Sequence, residues 1–281
     1  MKSIFSLIVG AFFGAVFGAS AATACDATTP CPVDGGDYLI AVPEGADGPL
    51  PAVMFIHGYG SSAAGVLRNS ALTSVFLDRG YAVIAPNGLQ RQNGNGRSWS
   101  FHPERPQRRD EIAFLLSVRD AAIASHNIRA DRFLLSGFSI GGSMASYLAC
   151  QTPSGFAAYA PVGGSFWRPH PAECEGPVRL FHTHGWKDEV VPLEGRAVGG
   201  GMANDPDAFV QGDVFHAMDI WRQANGCVHM KADSFAGTNG YWLRKWERCT
   251  PGSALEFALH PGGHSIPEGW VEMTIDWFEA L

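Results

Sequence analysis

The residues best suited to chemistry lie in Gly137-Phe138-Ser139-Ile140-Gly141, between the apolar run Phe133–Leu135 and the helix-like stretch Ser143–Ala149. A serine hydroxyl attacks a carbonyl only if it projects from the end of a sheet. A tight, strained strand-to-helix turn provides that, and flanking glycines relieve the crowding. A serine at its ordinary pKa is a poor nucleophile, so a general base must take its proton. His264, in "HPGGHSIP" after the last apolar run, is the candidate base, with Gly262 and Gly263 giving its loop freedom. An imidazole in that role needs an orienting carboxylate, and Asp188 in "HTHGWKDEVVP" is placed to supply one, with Glu189 as the alternative. Asp213 and Asp219 fall further along, in or near a helix.

Attack on a carbonyl creates an oxyanion, which two pre-aimed N–H groups must hold. "FIHGYGSS" offers one at the Tyr59 amide, and the residue after the serine offers the other at the Ile140 amide. Loss of one such donor costs on the order of 3 kcal/mol of barrier stabilisation. Read alone, "HGYG" is an ordinary strand-ending turn with His57 buried; beside the serine, histidine and aspartate it acquires a role. Trp99, Phe101, Phe166, Trp167 and Trp186 are candidate substrate-pocket residues, because pockets are commonly lined by aromatic rings and flat rings stack on planar acyl groups. Trp186 is nearest in sequence to a candidate site residue. The bland reading of all five is packing.

Elements must carry these groups to one place. Apolar runs at 37–43, 52–58, 81–86, 132–137, 156–162, 178–185 and 255–260 read as strands, most buried on both faces. Helices are expected at 65–79, 110–125, 139–149, 214–224 and 269–280, with Asp110 as a cap. Their alternation implies a mainly parallel sheet covered on both sides. Two stretches break it: 89–107 reads as a long surface loop, and 195–207 as a flexible connection without the Lys and Ser/Thr of a phosphate loop.

The N-terminus, Lys2 followed by an apolar run and "GASAATAC", reads as a signal peptide over residues 1–24, with two small-x-small cleavage sites. A lipoprotein acylated at Cys25 would want a larger aliphatic residue at Ala22. Roughly 260 residues then remain, enough for one α/β domain. The net charge of −7 argues against nucleic acid or an anionic membrane as partner. Export to the periplasm or the medium suits the six cysteines. Chain order suggests Cys25–Cys31, Cys150–Cys174 and Cys227–Cys249, with free buried thiols as the alternative. No metal is expected, since His182 and His184 lack an obvious third ligand, and acyl transfer of this kind needs no cofactor. The other histidines, among them His102, His126, His170, His216, His229 and His260, read as surface or packing residues.

"PAVMFIHGYGSS", "RRDEIAFLLSVRDAAIASHNIRADRFLLSGFSIGGSMA", "FHTHGWKDEVVP", "WRQANGC" and "LHPGGHSIP" together resemble the polyhydroxybutyrate depolymerase and feruloyl esterase branch of the α/β-hydrolases. The resemblance runs from about Asp37 to the end. It implies an α/β-hydrolase fold in one domain over 25–281, a serine carboxylic-ester hydrolase, and the roles of nucleophile, acid and base on Ser139, Asp188 and His264. The chain order Ser, Asp, His fits that fold; chymotrypsin-like and subtilisin-like chains use other orders. The chain departs from the branch at Trp99, which lacks the adjacent cysteine of a "CW" pair, and no polymer-adsorbing domain is expected after the last helix. The substrates expected are therefore soluble hydroxyalkanoate oligomers or short esters, with feruloyl or acetyl-xylan esters as the alternative. A serine peptidase or a non-catalytic binding protein on the same fold is the third reading. Oligomeric state is not legible.

Overall fold

The computed structural model describes residues 25–102, 105–202, 205, 208–238 and 240–281; the expected signal peptide lies outside them. The strands are β1 (Cys31–Val33), β2 (Gly36–Ala41), β3 (Leu50–Ile56), β4 (Ala82–Pro86), β5 (Leu89–Gln90), β6 (Arg97–Ser98), β7 (Ile128–Phe138), β8 (Ala158–Val162), β9 (Arg179–Gly185), β10 (Ala197–Val198), β11 (Phe209–Val210), β12 (Ser234–Thr238), β13 (Tyr241–Trp246) and β14 (Ala254–His260). The helices are α1 (Ala63–Leu67), α2 (Ser70–Asp78), α3 (Glu111–His126), α4 (Ile140–Gln151), α5 (Val214–Ala224) and α6 (Trp270–Glu279).

Ten strands form one sheet in the order β1-β2-β4-β3-β7-β8-β9-β14-β13-β12. From β4 to β14 neighbouring strands run parallel. Antiparallel pairs close both edges. The mainly parallel sheet covered on both faces, expected from the alternating pattern, is formed, and its architecture is the α/β-hydrolase one that the resemblance implied.

Strand periodicity divides the core in two. On β3, Ala52, Met54 and Ile56 face one layer, and Val53 and Phe55 the other. The first layer receives Phe114 and Val118 of α3, Met144 and Leu148 of α4, and Met218 and Trp221 of α5. The second receives Val66 of α1, Phe76 of α2, and Trp270 and Phe278 of α6. With both faces covered, central strands need no polar side, which is why they read as unbroken apolar runs.

Four expectations need correction. The helix over 65–79 is two helices, because Asn69 leaves helical geometry with ψ 89° and starts α2, while Ser62 caps α1 through the Gly65 N–H. The loop over 89–107 contains the β5–β6 ribbon. The connection over 195–207 contributes β10, which pairs with β11. Strands β12 and β13 were missed because the sheet edge leaves much of them exposed and breaks the apolar run.

Disulfides join Cys25–Cys31, Cys150–Cys174 and Cys227–Cys249, the pairing that chain order suggested. The second ties the end of α4 to the segment before β9. Among the described residues, no helix is long and apolar enough to cross a membrane.

Candidate active site

Ser139 stands at the junction of β7 and α4 with φ 59° and ψ −125°, a conformation that L-residues avoid. The turn is held by the Ser139 N–H donating to the Val162 carbonyl at 2.9 Å and the Ser143 N–H donating to the Ser139 carbonyl at 3.0 Å. Glycine is a packing requirement here. A Cβ on Gly137 would collide with the Gly141 carbonyl, and one on Gly141 with the Ile56 carbonyl. Helix and sheet approach too closely for any side chain between them.

His264 lies on the loop between β14 and α6. Its Nε2 is 2.9 Å from the Ser139 Oγ, and its Nδ1 is 2.7 Å from the Asp188 Oδ2, across 125 and 76 residues of sequence. The network assigns the proton to Nδ1, donating to the carboxylate, and leaves Nε2 to accept from the serine hydroxyl. Phe138 packs beside the imidazole with ring centroids 4.7 Å apart.

Asp188 is 5% exposed, and its Oδ1 accepts from the Val190 and Val191 amides at 2.9 and 2.7 Å. Burial alone would raise its pKa. The bond from His264 and the Val191 N–H outweigh that, and the carboxyl sits below its ordinary value. Glu189, the alternative acid, is exposed. Backbone bonds from Trp186 to His260 at 2.7 Å and from Lys187 to Gly262 at 2.9 Å lash the aspartate loop to the histidine loop. Gly185 permits this crossing, since a Cβ there would strike the Gly263 carbonyl. The sequence reading credited Gly262 and Gly263 with that freedom and passed over Gly185.

The Gly58–Tyr59 turn lies beside Ser139: a Cβ on Gly58 would come within 3.6 Å of the Ser139 Cβ. His57, 1% exposed, fixes it from beneath. Its Nδ1 donates to the Gly58 carbonyl at 2.8 Å, and its Nε2 accepts the Gly88 N–H at 3.1 Å. Burial pulls its pKa down to about 4, aided by the Arg97 and Arg109 charges and opposed by the Gly58 bond, so the ring is neutral. Trp99 donates its indole N–H to the His57 carbonyl at 2.9 Å. Behind it Glu111, paired with Arg109, accepts the Ser100 N–H at 3.0 Å, and Arg109 reaches the Gly35 and Asn87 carbonyls. Sequence reasoning missed this bracing. A charged pair beginning a helix resembles any solvated N-terminus.

Two clefts meet at Ser139. The larger, about 780 Å³, has walls from Trp99, Phe101, Trp167 and Phe209 and includes Ile140. The smaller, about 450 Å³, holds His264, Ser61, Asn69 and Leu72. Tyr59 and Val190 border both. Of the five aromatic candidates, Trp99, Phe101 and Trp167 line the larger cleft. Phe166 does not: it is 1% exposed and wedged between Tyr147 and Trp221. Trp186 is 56% exposed and meets Trp242 edge-on, borders neither cleft, and turns away although Asp188 is two residues on. Phe209 was missed because it lies just beyond a Gly-rich stretch, although "AFV" is an apolar cue there. His182 and His184 share a face, but their nitrogens serve each other at 3.2 Å and the Val191 carbonyl at 2.7 Å.

The fold is that of the α/β-hydrolase class, with Ser139, His264 and Asp188 joined at its strand ends. Residues 37–173 match the family described as "Esterase PHB depolymerase". NocK of Nocardia uniformis subsp. tsuyamanensis, assigned by name to the esterases, is 32% identical over 246 residues, covering 82% of this chain and 68% of that protein. Feruloyl esterase C of Emericella nidulans is 27% identical over 244 residues, 83% of this chain and 77% of its own. The acetyl xylan esterase from Aspergillus awamori superposes with a TM-score of 0.66 at 14% identity, over 88% of this chain and 95% of that one, a likeness of fold. The chain belongs to the PHB depolymerase family of esterases.

Proposed function

We propose that the protein is an exported serine carboxylic-ester hydrolase working through an acyl-enzyme. The observation that carries this reading is the continuous hydrogen-bond line from Ser139 through His264 to Asp188. His264 takes the hydroxyl proton as Ser139 attacks the ester carbonyl, and the Tyr59 and Ile140 amides hold the oxyanion. The C–O bond to the alcohol breaks, His264 protonates the departing oxygen, and water cleaves the acyl-serine by the same route. Export is supported by the three disulfides, which persist in an oxidising compartment.

The Ser139→Ala variant tests the chemistry: turnover of p-nitrophenyl acetate should vanish, and the acyl adduct seen by mass spectrometry after rapid acid quench should go with it. Parental turnover in that variant would refute the reading.

The expected acyl groups are hydroxyalkanoates, acetyl and other short acids, and planar aromatic acids of the feruloyl kind. The aromatic walls of the larger cleft favour the feruloyl kind, and a relative that matches most of this chain is named a feruloyl esterase. Comparing turnover of methyl ferulate with that of hydroxybutyrate oligomers decides between them.

A further inference from the structure

We infer that the mouth of the larger cleft is a carboxylate-binding site with Arg196 as its main contact, so that the preferred ester carries a carboxylate near its scissile bond. This rests on the serine esterase reading and names a charge that the substrate should bear.

The sequence sets up a contrast of charge. The chain as a whole is acidic, at net −7, yet residues 89–109 hold five arginines against one glutamate, Glu104. Arg97 and Arg109 turn inward, to the Gly88 carbonyl and to Glu111. Two others reach the cleft. Arg91 lies over the ring of Tyr59 at 4.1 Å, and Arg105 over the ring of Phe209 at 5.2 Å. Tyr59, Phe209 and Arg105 itself all border the larger cleft. Arg196 arrives from another direction, just before β10, and borders it too. Among the described residues that line this cleft, the permanent charges are Arg105 and Arg196, and no carboxylate offsets them. Aromatic walls of low polarity concentrate such a field, so the mouth draws anions although the molecule as a whole repels them.

Arg196 is the arginine placed to hold the anion. Its Nε donates to the Val190 carbonyl at 2.9 Å and to the Gln211 Oε1 at 3.3 Å. Val190 is also the residue whose amide donates to the Asp188 Oδ1, and it borders both clefts at Ser139. The guanidinium is therefore rooted on the turn that holds Asp188, while Gln211, 5% exposed, fixes its plane. Among the described residues, every side-chain hydrogen bond of Arg196 runs through Nε, which leaves both terminal nitrogens to a ligand. A carboxylate accepts from two such nitrogens at once and brings the matching charge; a neutral amide or ester oxygen does not. That carboxylate has two possible sources. It can end a dicarboxylic acyl group, or it can be the acid terminus of a hydroxyalkanoate oligomer, where it belongs to the departing alcohol.

The test uses two matched pairs, each a free acid against its carboxamide. One is monomethyl glutarate and the methyl ester of glutaramic acid. The other is a hydroxybutyrate trimer with its terminal carboxylate free and the same trimer amidated at that end. At low salt, kcat/KM of the parent protein should favour the anionic member of at least one pair by about 10-fold, the contribution of a hydrogen bond to a charged group. The pair that responds identifies the source of the carboxylate. Raising KCl to about 0.5 M should remove most of the preference, since the screening length falls to a few ångströms. Arg196→Gln should lower the anionic-to-neutral ratio about 10-fold, and Arg196→Lys, which keeps the charge without the fork, should recover part of it. The ratio is the readout because a disturbed Val190 turn slows both members alike. Equal kcat/KM on charged and neutral members of both pairs would overturn the proposal. So would a preference that survives high salt, or one left intact by Arg196→Gln. Failure of the esterase reading shows separately, as hydrolysis of the neutral members that persists in Ser139→Ala.

Discussion

Asp188 presents its two oxygens to different tasks: Oδ1 is locked by two backbone amides and Oδ2 faces His264. The amides fix the carboxylate's plane, and the plane fixes the imidazole's tautomer. In the Asp188→Asn variant an amide nitrogen can face Nδ1, which would then have to surrender its proton to Nε2, where the serine hydroxyl needs an acceptor. We expect kcat to fall by roughly 10⁴ with the folded circular-dichroism spectrum retained. A loss under tenfold would show that the carboxylate does not set the tautomer. His57 works at the same scale but outside the chemistry. Neutral and bonded through both nitrogens, it holds the Tyr59 turn without joining a proton path.

Strand ends and the loops that cross them set the site's precision. Gly185, the last residue of β9, lets the His264 loop pass against the strand at a distance no side chain allows. Gly185→Ala should push that loop outward and lower kcat about 100-fold, the cost of an ångström-scale misplacement. KM and melting temperature should move much less; a parental kcat would mean the loop has slack. A second element-level brace is the Arg109–Glu111 pair at the start of α3, buried on both sides. Burial pushes the Glu111 pKa up and the Arg109 pKa down, so the pair carries a desolvation cost that its mutual attraction does not fully offset. Glu111→Ala would leave the guanidinium buried without its partner. We expect about 3 kcal/mol of destabilisation in urea unfolding, and unchanged stability would show that water reaches the site.

Across the whole molecule, buried histidines make the fold sensitive to acid. His57, His182, His184 and His260 all have pKa values below the ordinary one, with burial as the first cause. A depressed histidine binds fewer protons folded than unfolded. Stability is therefore full above the unfolded value near 6.5 and drains as pH falls through the window below it. For His57 that window runs from about 6.5 to about 4, worth about 3 kcal/mol by linkage. The urea midpoint should drop steadily from pH 7 to pH 4.5, and a midpoint that held constant would contradict buried neutral rings. The disulfides act on the same balance from the unfolded side. The Cys150–Cys174 link spans 24 residues, and its removal as a paired serine variant should cost about 3 kcal/mol; an unchanged melting temperature would count against that.

Ser139, His264 and Asp188 were legible in sequence because each sits in a local motif at a strand end, and parallel strands bring their C-terminal ends to one edge whatever the loops do. The six-strand parallel centre was legible for a related reason: burial on both faces removes polar residues from a strand and leaves an unbroken apolar run. Edge strands β12 and β13 were not, since one exposed face dilutes that run, although Asn239-Gly240 between them is a hairpin cue. What needed three dimensions was direction: Trp186 turning outward, Phe166 sinking into the core, Phe209 arriving from beyond a Gly-rich stretch, and two clefts meeting at the serine. Local composition records which residues are apolar or reactive. Which way a ring points, and what it faces, depends on packing between segments far apart in the chain, and no window of sequence contains that.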